Sequence, residues 1–303
     1  MNLPSDYLEF LKPDCNRKEF IQHKLLEYGL NSSVIAIDGK MHVYVDFPKS
    51  CYNTRFKIKT LVAHYDRVKG SAGANDNSSG VFALLDAARR LSEFDGVHNV
   101  RLIFTDGEED GRFGVCSQGA FSLAKRLKEL NSIEGEVFVF DCVGRGDIPV
   151  ICELEIPGNA DRVFFRQYEK FISNVQNLIS KNSSFDNVIL PASFSDNAGF
   201  IANGIPAVAI TMLPKDEVLN YMSNLKRISG LRESVMNRHL EDVPEKIAPE
   251  YVLRESIPLT WRYLHTQYDN ITTLTPVSFT IIARIIDEII KVNYLHLLIV
   301  RKK

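Results

Sequence analysis

The chain has 303 residues, of which 45% are hydrophobic and 24% charged, with a formal net charge of −2. That supports a sizeable core, and nothing in it calls for nucleic acid or an anionic membrane as partner, since a nucleic-acid binder usually shows a basic stripe. No stretch reaches the ~18 apolar residues of a membrane-spanning helix. The opening MNLPSDYLEF has neither the basic nor the apolar region of a signal peptide. Five cysteines with no CxxC pair read as free thiols in a reducing compartment, so a cytoplasmic protein is expected.

Helix and strand signals alternate along the chain, without repeats or low-complexity tracts. Asn16–Tyr28 predicts a helix closed by Gly29. Val34–Phe47 predicts a hairpin turning at Asp38-Gly39. Phe56–Val62 is an apolar strand running into His64, and Ser78–Leu91 has helical spacing. Val100–Phe104 is a buried strand followed by the acidic loop TDGEEDG, then a helix over Ala120–Leu130. Val137–Phe140 is a strand ending at Asp141. Asp147–Ile156 and Asn187–Leu190 are weaker strands, with an amphipathic helix over Asp161–Lys181 between them. Ile205–Met212 is a strand, and Pro276–Leu298 is the closing helix.

This alternation predicts an α/β fold, a three-layer α/β/α sandwich around a mixed, mainly parallel sheet, as a single domain over residues 1–303. The charged segment of about residues 215–262 breaks the rhythm and reads as a helical insertion near the mouth of the site, or equally as a surface excursion. In such sheets ligands bind outside the carboxyl ends of the strands. His64, Glu108 and Asp141 each follow an apolar strand within a few residues.

Five polar clusters carry the chemistry: Ala63-His64-Tyr65-Asp66, the GANDNSSG stretch from Gly73 to Gly80, Asp106-Gly107-Glu108-Glu109-Asp110-Gly111, Phe140-Asp141-Cys142-Val143-Gly144, and His265-Thr266-Gln267-Tyr268-Asp269. Each is weak alone. As a set they supply two imidazoles and several carboxylates, a donor mixture that zinc accepts. Five donors are one short of two three-donor sites, a gap that a bridging carboxylate closes.

In this order the clusters resemble the co-catalytic zinc exopeptidases, the family of bacterial aminopeptidases, glutamate carboxypeptidase and glutaminyl cyclase, from about Lys59 to Asp269. The resemblance implies a zinc-peptidase fold and two zinc ions, with other divalent metals also acceptable. It implies His64 and Asp141 on one metal, Glu109 and His265 on the other, and Asp76 bridging them. It further implies Glu108 as general base and acid, Asp66 as a carboxylate supporting His64, and a cis peptide between Asp76 and Asn77. Phe194-Ser195-Asp196 through Phe200 resembles the family's segment before a Gly-Ile-Pro strand, although many relatives have His at the position of Asn197. Ser195, Asp196, Phe200 and Tyr268 are the candidate substrate-pocket residues. A helix N-cap at Ser195 or Asp196 explains the first two equally well.

Physical chemistry supports the division of labour between the two glutamates. From an extended backbone, Glu108 and Glu109 cannot both reach one metal, so one coordinates while the other faces water. The expected function is hydrolysis of the N-terminal residue from a peptide substrate. The alternatives are a carboxypeptidase or dipeptidase, which needs a basic residue such as Arg145, Arg227 or Arg262 to grip a carboxylate, and a one-zinc glutaminyl-peptide cyclase. A non-catalytic binding protein is least expected, because every ligand position and Glu108 are intact. Monomer and homo-oligomer both remain open.

Overall fold

The computed structural model describes residues 6–133, 135–154, 156, 161–182, 188–236 and 250–291. His239, Glu241, His296, the first residue of the strand expected from Asn187, the end of the closing helix and the middle of the 215–262 segment lie outside the described residues.

Two helices, α1 (Tyr7–Leu11) and α2 (Arg17–Glu27), precede an antiparallel hairpin of β1 (Asn31–Ile37) and β2 (Lys40–Asp46). Then follow β3 (Lys59–His64), α3 (Gly80–Ser92), β4 (Val100–Thr105), α4 (Gly119–Glu129), β5 (Val137–Phe140), β6 (Ile148–Glu153), α5 (Arg162–Asn182), β7 (Val188–Pro191), α6 (Asp196–Ala202) and β8 (Ala207–Leu213). The described parts of the 215–262 segment are helical: α7 (Lys215–Arg227), α8 (Leu231–Met236), α9 (Glu250–Ser256) and α10 (Leu259–Tyr263). Helix α11 (Pro276–Lys291) follows.

The eight strands form one sheet in the order β1-β2-β4-β3-β5-β8-β6-β7. Its centre, β4-β3-β5-β8, is parallel, while the hairpin joins antiparallel at one side and β6 pairs antiparallel with β8 at the other. Alternation along β3 sorts the layers. Leu61 and Ala63 pack with α3 and α11, whereas Val62 packs with α4 and α6. The central strands are buried on both faces, which explains why they read as continuous apolar runs without alternation.

Three elements differ from expectation. Helix α1 is too short to leave a periodic signal, and it is held by long-range contacts: Tyr7 packs on Phe82 with ring centroids 4.5 Å apart and donates its hydroxyl to the Ala74 carbonyl at 2.7 Å. The hairpin begins at Asn31, ahead of Val34, because the polar Asn31-Ser32-Ser33 stretch still pairs with Tyr44–Asp46. The acidic loop is not extended; it is a tight 3-10 turn over Glu109–Phe113.

Candidate metal centre

The parallel register aligns the carboxyl ends of β3, β4 and β5, and His64, Thr105 and Phe140 end those strands. The GANDNSSG stretch crosses this edge as a kinked turn with a cis peptide between Asp76 and Asn77. Its alternate side chains stitch it to the loop after β5. Asn77 donates to the Phe140 carbonyl at 2.8 Å and accepts from the Gly80 and Cys142 amides. Ser79 accepts from Val143 N–H, and Asn75 accepts from Gly144 N–H. Two glycines allow the approach. Gly73 takes φ 62°, and a Cβ on Gly80 would sit 2.3 Å from the Phe140 carbonyl oxygen. The stitching leaves Asp76 pointing the other way, beside Asp141 and His64.

Asp76 presents one oxygen to each imidazole. Its Oδ1 lies 3.2 Å from His64 Nε2 and its Oδ2 lies 3.2 Å from His265 Nε2. Asp141 Oδ1 joins the His64 side at 3.5 Å, and Glu109 Oε2 joins the His265 side at 3.1 Å. Donor atoms held ~2.0–2.2 Å from one tetrahedral zinc stand about 3.3–3.6 Å apart, so each half has the spacing of a metal's donor set. His64 Nε2, Asp141 Oδ1 and Glu109 Oε1 are buried and make no well-formed hydrogen bond among the described residues. Buried polar atoms are normally satisfied, and donors left open around Asp76 fit bound cations.

The charges agree with that reading. Burial opposes ionisation of Asp76, yet the two imidazoles hold it well below the usual carboxylate range. Burial and the Asp76 carboxylate push Glu109 up to about 7. Hydrogen bonds to Asp76 and Glu109 raise His265 to about 10. Burial alone would depress His64, but Asp141, Asp66 and Asp76 raise it well above its ordinary value. Negative charge thus exceeds what two imidazoles can neutralise, and a divalent ion would relieve it.

Around these donors stand the other expected residues. Asp66 faces His64 Nδ1 at 3.4 Å without a well-formed hydrogen bond and accepts from the amides of Glu108 and Glu109 at 3.2 and 3.1 Å, so it holds the glutamate turn beside the imidazole. Because Glu108 has helical φ/ψ, the separation of the two glutamates comes from the 3-10 turn and not from an extended backbone. Glu109 faces His265, while Glu108 Oε1 accepts from Gln118 Nε2 at 2.9 Å.

The pocket candidates divide. Ser195 occupies the N-cap of α6, but its hydroxyl caps nothing; Asn197 Oδ1 accepts from Ser195 N–H instead. Asp196 is fully buried and accepts from the Thr105 hydroxyl, and burial pushes its carboxyl up to about 8. Phe200 packs in the core between α4 and α6, so it offers no surface at a pocket rim. Tyr268 is 58% exposed beside His265, with its ring 5.8 Å from that of Tyr263.

Sequence reasoning assigned no role to Gln118, Asn75, Asn77 or Ser79, nor to Asp269. The Asp269 carboxylate accepts from the Asn75 and Asp76 amides at 2.7 and 3.1 Å, holding the turn from the side of His265. The only signal for Asp269 in the sequence is its place at the end of the fifth cluster, four residues after His265.

Comparison with known proteins agrees with this architecture. Residues 51–290 match the model of peptidase family M28. Aminopeptidase Y of Saccharomyces cerevisiae is 30% identical over 165 residues, which is 54% of this chain but only 29% of that protein. Among solved structures, Porphyromonas gingivalis glutaminyl cyclase superposes with a TM-score of 0.61 at 17% identity, over 94% of this chain and 93% of that one. A Zn-dependent exopeptidase from Parabacteroides distasonis gives 0.58 at 17% identity, over 94% of each chain. At such identities the likeness shows a shared fold.

Proposed function

Because the chain belongs to peptidase family M28, we propose that it is a zinc-dependent exopeptidase that removes the N-terminal residue of peptides. The observation that carries this reading is the two-sided Asp76 carboxylate, one oxygen towards His64 and Asp141 and the other towards His265 and Glu109. This arrangement supports two metal ions sharing one bridging ligand.

When bound, zinc supplies Lewis-acid polarisation of the scissile carbonyl and acidifies water. The protein's own residues supply the rest. Glu108, held by Gln118 on one oxygen, takes a proton from the attacking water and returns it to the leaving amine. General acid–base help of this kind is worth ~10²–10⁴ in rate. Asp66 faces His64 Nδ1 and fixes the glutamate turn through two amides.

Two of the arginines that could grip a substrate carboxylate are already engaged. Arg145 donates to Thr260, Thr273 and Glu217, and Arg262 pairs with Glu255. This favours an aminopeptidase over a carboxypeptidase. The single tryptophan, Trp261, favours a peptidase over a cyclase with a tryptophan-lined pocket. Five unpaired cysteines support the cytoplasm as its compartment, and among the described residues no helix is long and apolar enough to cross a membrane.

Elemental analysis of purified protein, run beside hydrolysis of leucine and glutaminyl substrates, tests the proposal. Two zinc equivalents with release of free leucine are expected. One zinc with cyclisation of glutamine and no cleavage would move the protein to the cyclase reading.

A further inference from the structure

His265 comes from an unusual place. The other donors sit at strand ends, on the stitched turn or on the 3-10 turn after β4, whereas His265 lies on a half-exposed turn between α10 and the 3-10 turn at Ile271–Thr273, with φ 63°. Such a turn has no sheet register to fix it, so its position depends on what anchors each flank. On the C-terminal flank the anchor is Asp269, bound to the Asn75 and Asp76 amides.

A second anchor, Arg145, four residues past Asp141, reaches both flanks. Its Nε donates to Thr260 Oγ1 at 2.9 Å, Nη1 to the Thr273 carbonyl at 3.1 Å and Nη2 to Glu217 Oε1 at 3.0 Å. The second Glu217 oxygen accepts from Thr260 N–H at 2.8 Å. The guanidinium also lies 5.6 Å from the centre of the Tyr263 ring, two residues before His265. One planar group therefore ties α7, α10 and the segment after His265 to the loop that carries Asp141. Glu217 and Thr260 are buried, so the contacts are shielded from water and geometrically fixed. Trp261, its ring 5.2 Å from that of Tyr221, holds α10 to α7.

We infer that Arg145 is a positioning residue for the metal site on the His265 side: it sets the distance between the turn after α10, which carries His265, and the loop that carries Asp141. The inference rests on the proposed reading of His265 as a metal ligand. Groups that orient metal ligands cost ~10–100-fold in affinity when removed. Arg145 has no part in the His64 side beyond sharing a loop with Asp141, so the effect should fall on one site.

The test is calorimetric titration of metal-stripped protein with zinc, resolving the binding constants in wild type, His265→Ala, Arg145→Lys and the double variant Arg145→Met/Glu217→Leu. The double variant removes the buried pair together, avoiding a lone buried Glu217, and Arg145→Lys keeps the charge while losing the fork. His265→Ala identifies the constant that depends on His265. We expect that constant to weaken ~10–100-fold in both Arg145 variants while the other stays within ~2-fold. Equal weakening of both constants, or no change in the His265-dependent one, would overturn the inference. If wild type binds a single zinc, the two-metal reading falls, and the Arg145 inference still stands or falls on the His265-dependent constant. If no constant responds to His265→Ala, both fall.

Discussion

Asn77 offers a direct measure of what holds the metal edge together. Its side chain is fully buried and makes three hydrogen bonds: 2.8 Å to the Phe140 carbonyl, 2.9 Å from Gly80 N–H and 3.3 Å from Cys142 N–H. Asn77→Ala removes all three. The Gly80 bond acts as an N-terminal cap of α3, worth ~0.5–2 kcal/mol. The other two leave a buried carbonyl and a buried amide without this partner, at ~1–3 kcal/mol each where no replacement is found. Water can enter the vacated volume and recover part of this, so a net loss of about 3–5 kcal/mol is expected. Ser79→Ala is the calibrating variant. It loses the Val143 N–H bond at 2.9 Å and the bond to the Asn75 carbonyl at 2.6 Å, and should cost about 1–2 kcal/mol. Equilibrium urea unfolding of metal-stripped protein reads both. A loss below ~1 kcal/mol for Asn77→Ala would mean that the turn is held by something other than this stitching.

Glu108→Gln should keep both metals by elemental analysis while turnover falls ~10²–10⁴-fold; near-normal activity would remove Glu108 from the role of base. Asp76→Asn should weaken zinc binding on both sides, and two full equivalents retained after dialysis would refute a bridging role. Acid should destabilise the fold partly through His98, whose ring packs against Phe47 and whose Nδ1 accepts from Val100 N–H. Burial, aided by Lys59, lowers its pKa from 6.5 to about 4. The unfolded chain therefore takes a proton that the fold refuses, and stability present above pH ~6.5 is lost as pH falls towards 4, by at most ~3 kcal/mol. In His98→Asn the fall in urea midpoint between pH 7 and 4.5 should be shallower; an unchanged slope would exclude His98 as a contributor.

Much of the sheet was legible because its central strands are short apolar runs punctuated by polar residues, and a strand buried on both faces needs no alternation to be recognised. The positions of the candidate donors were legible for a related reason. A parallel sheet places successive strand ends along one edge, so His64 at the end of β3, the glutamate turn after β4 and Asp141 directly after β5 gather there. Helix α1 was not legible, because five residues carry no periodicity and the Tyr7 hydroxyl finds its acceptor at Ala74, far along the chain.

The supporting residues were hidden for a deeper reason. Asn75, Asn77 and Ser79 stand in the GANDNSSG cluster with no individual role legible, and Gln118 carries no signal of its own. What gives them roles is a partner 10 to 69 residues away, on another strand end or turn. Sequence spacing reveals a residue that acts by its position on its own strand, as His64 and Asp141 do. A residue that acts by joining two segments has no local pattern to betray it. Arg145 is the extreme case: a single side chain after Asp141 contacts residues 72, 115 and 128 positions later. Among the candidate donors, His64 and Asp141 are therefore placed by the sheet, while Asp76 and His265 are placed by side chains that bridge one loop to the next.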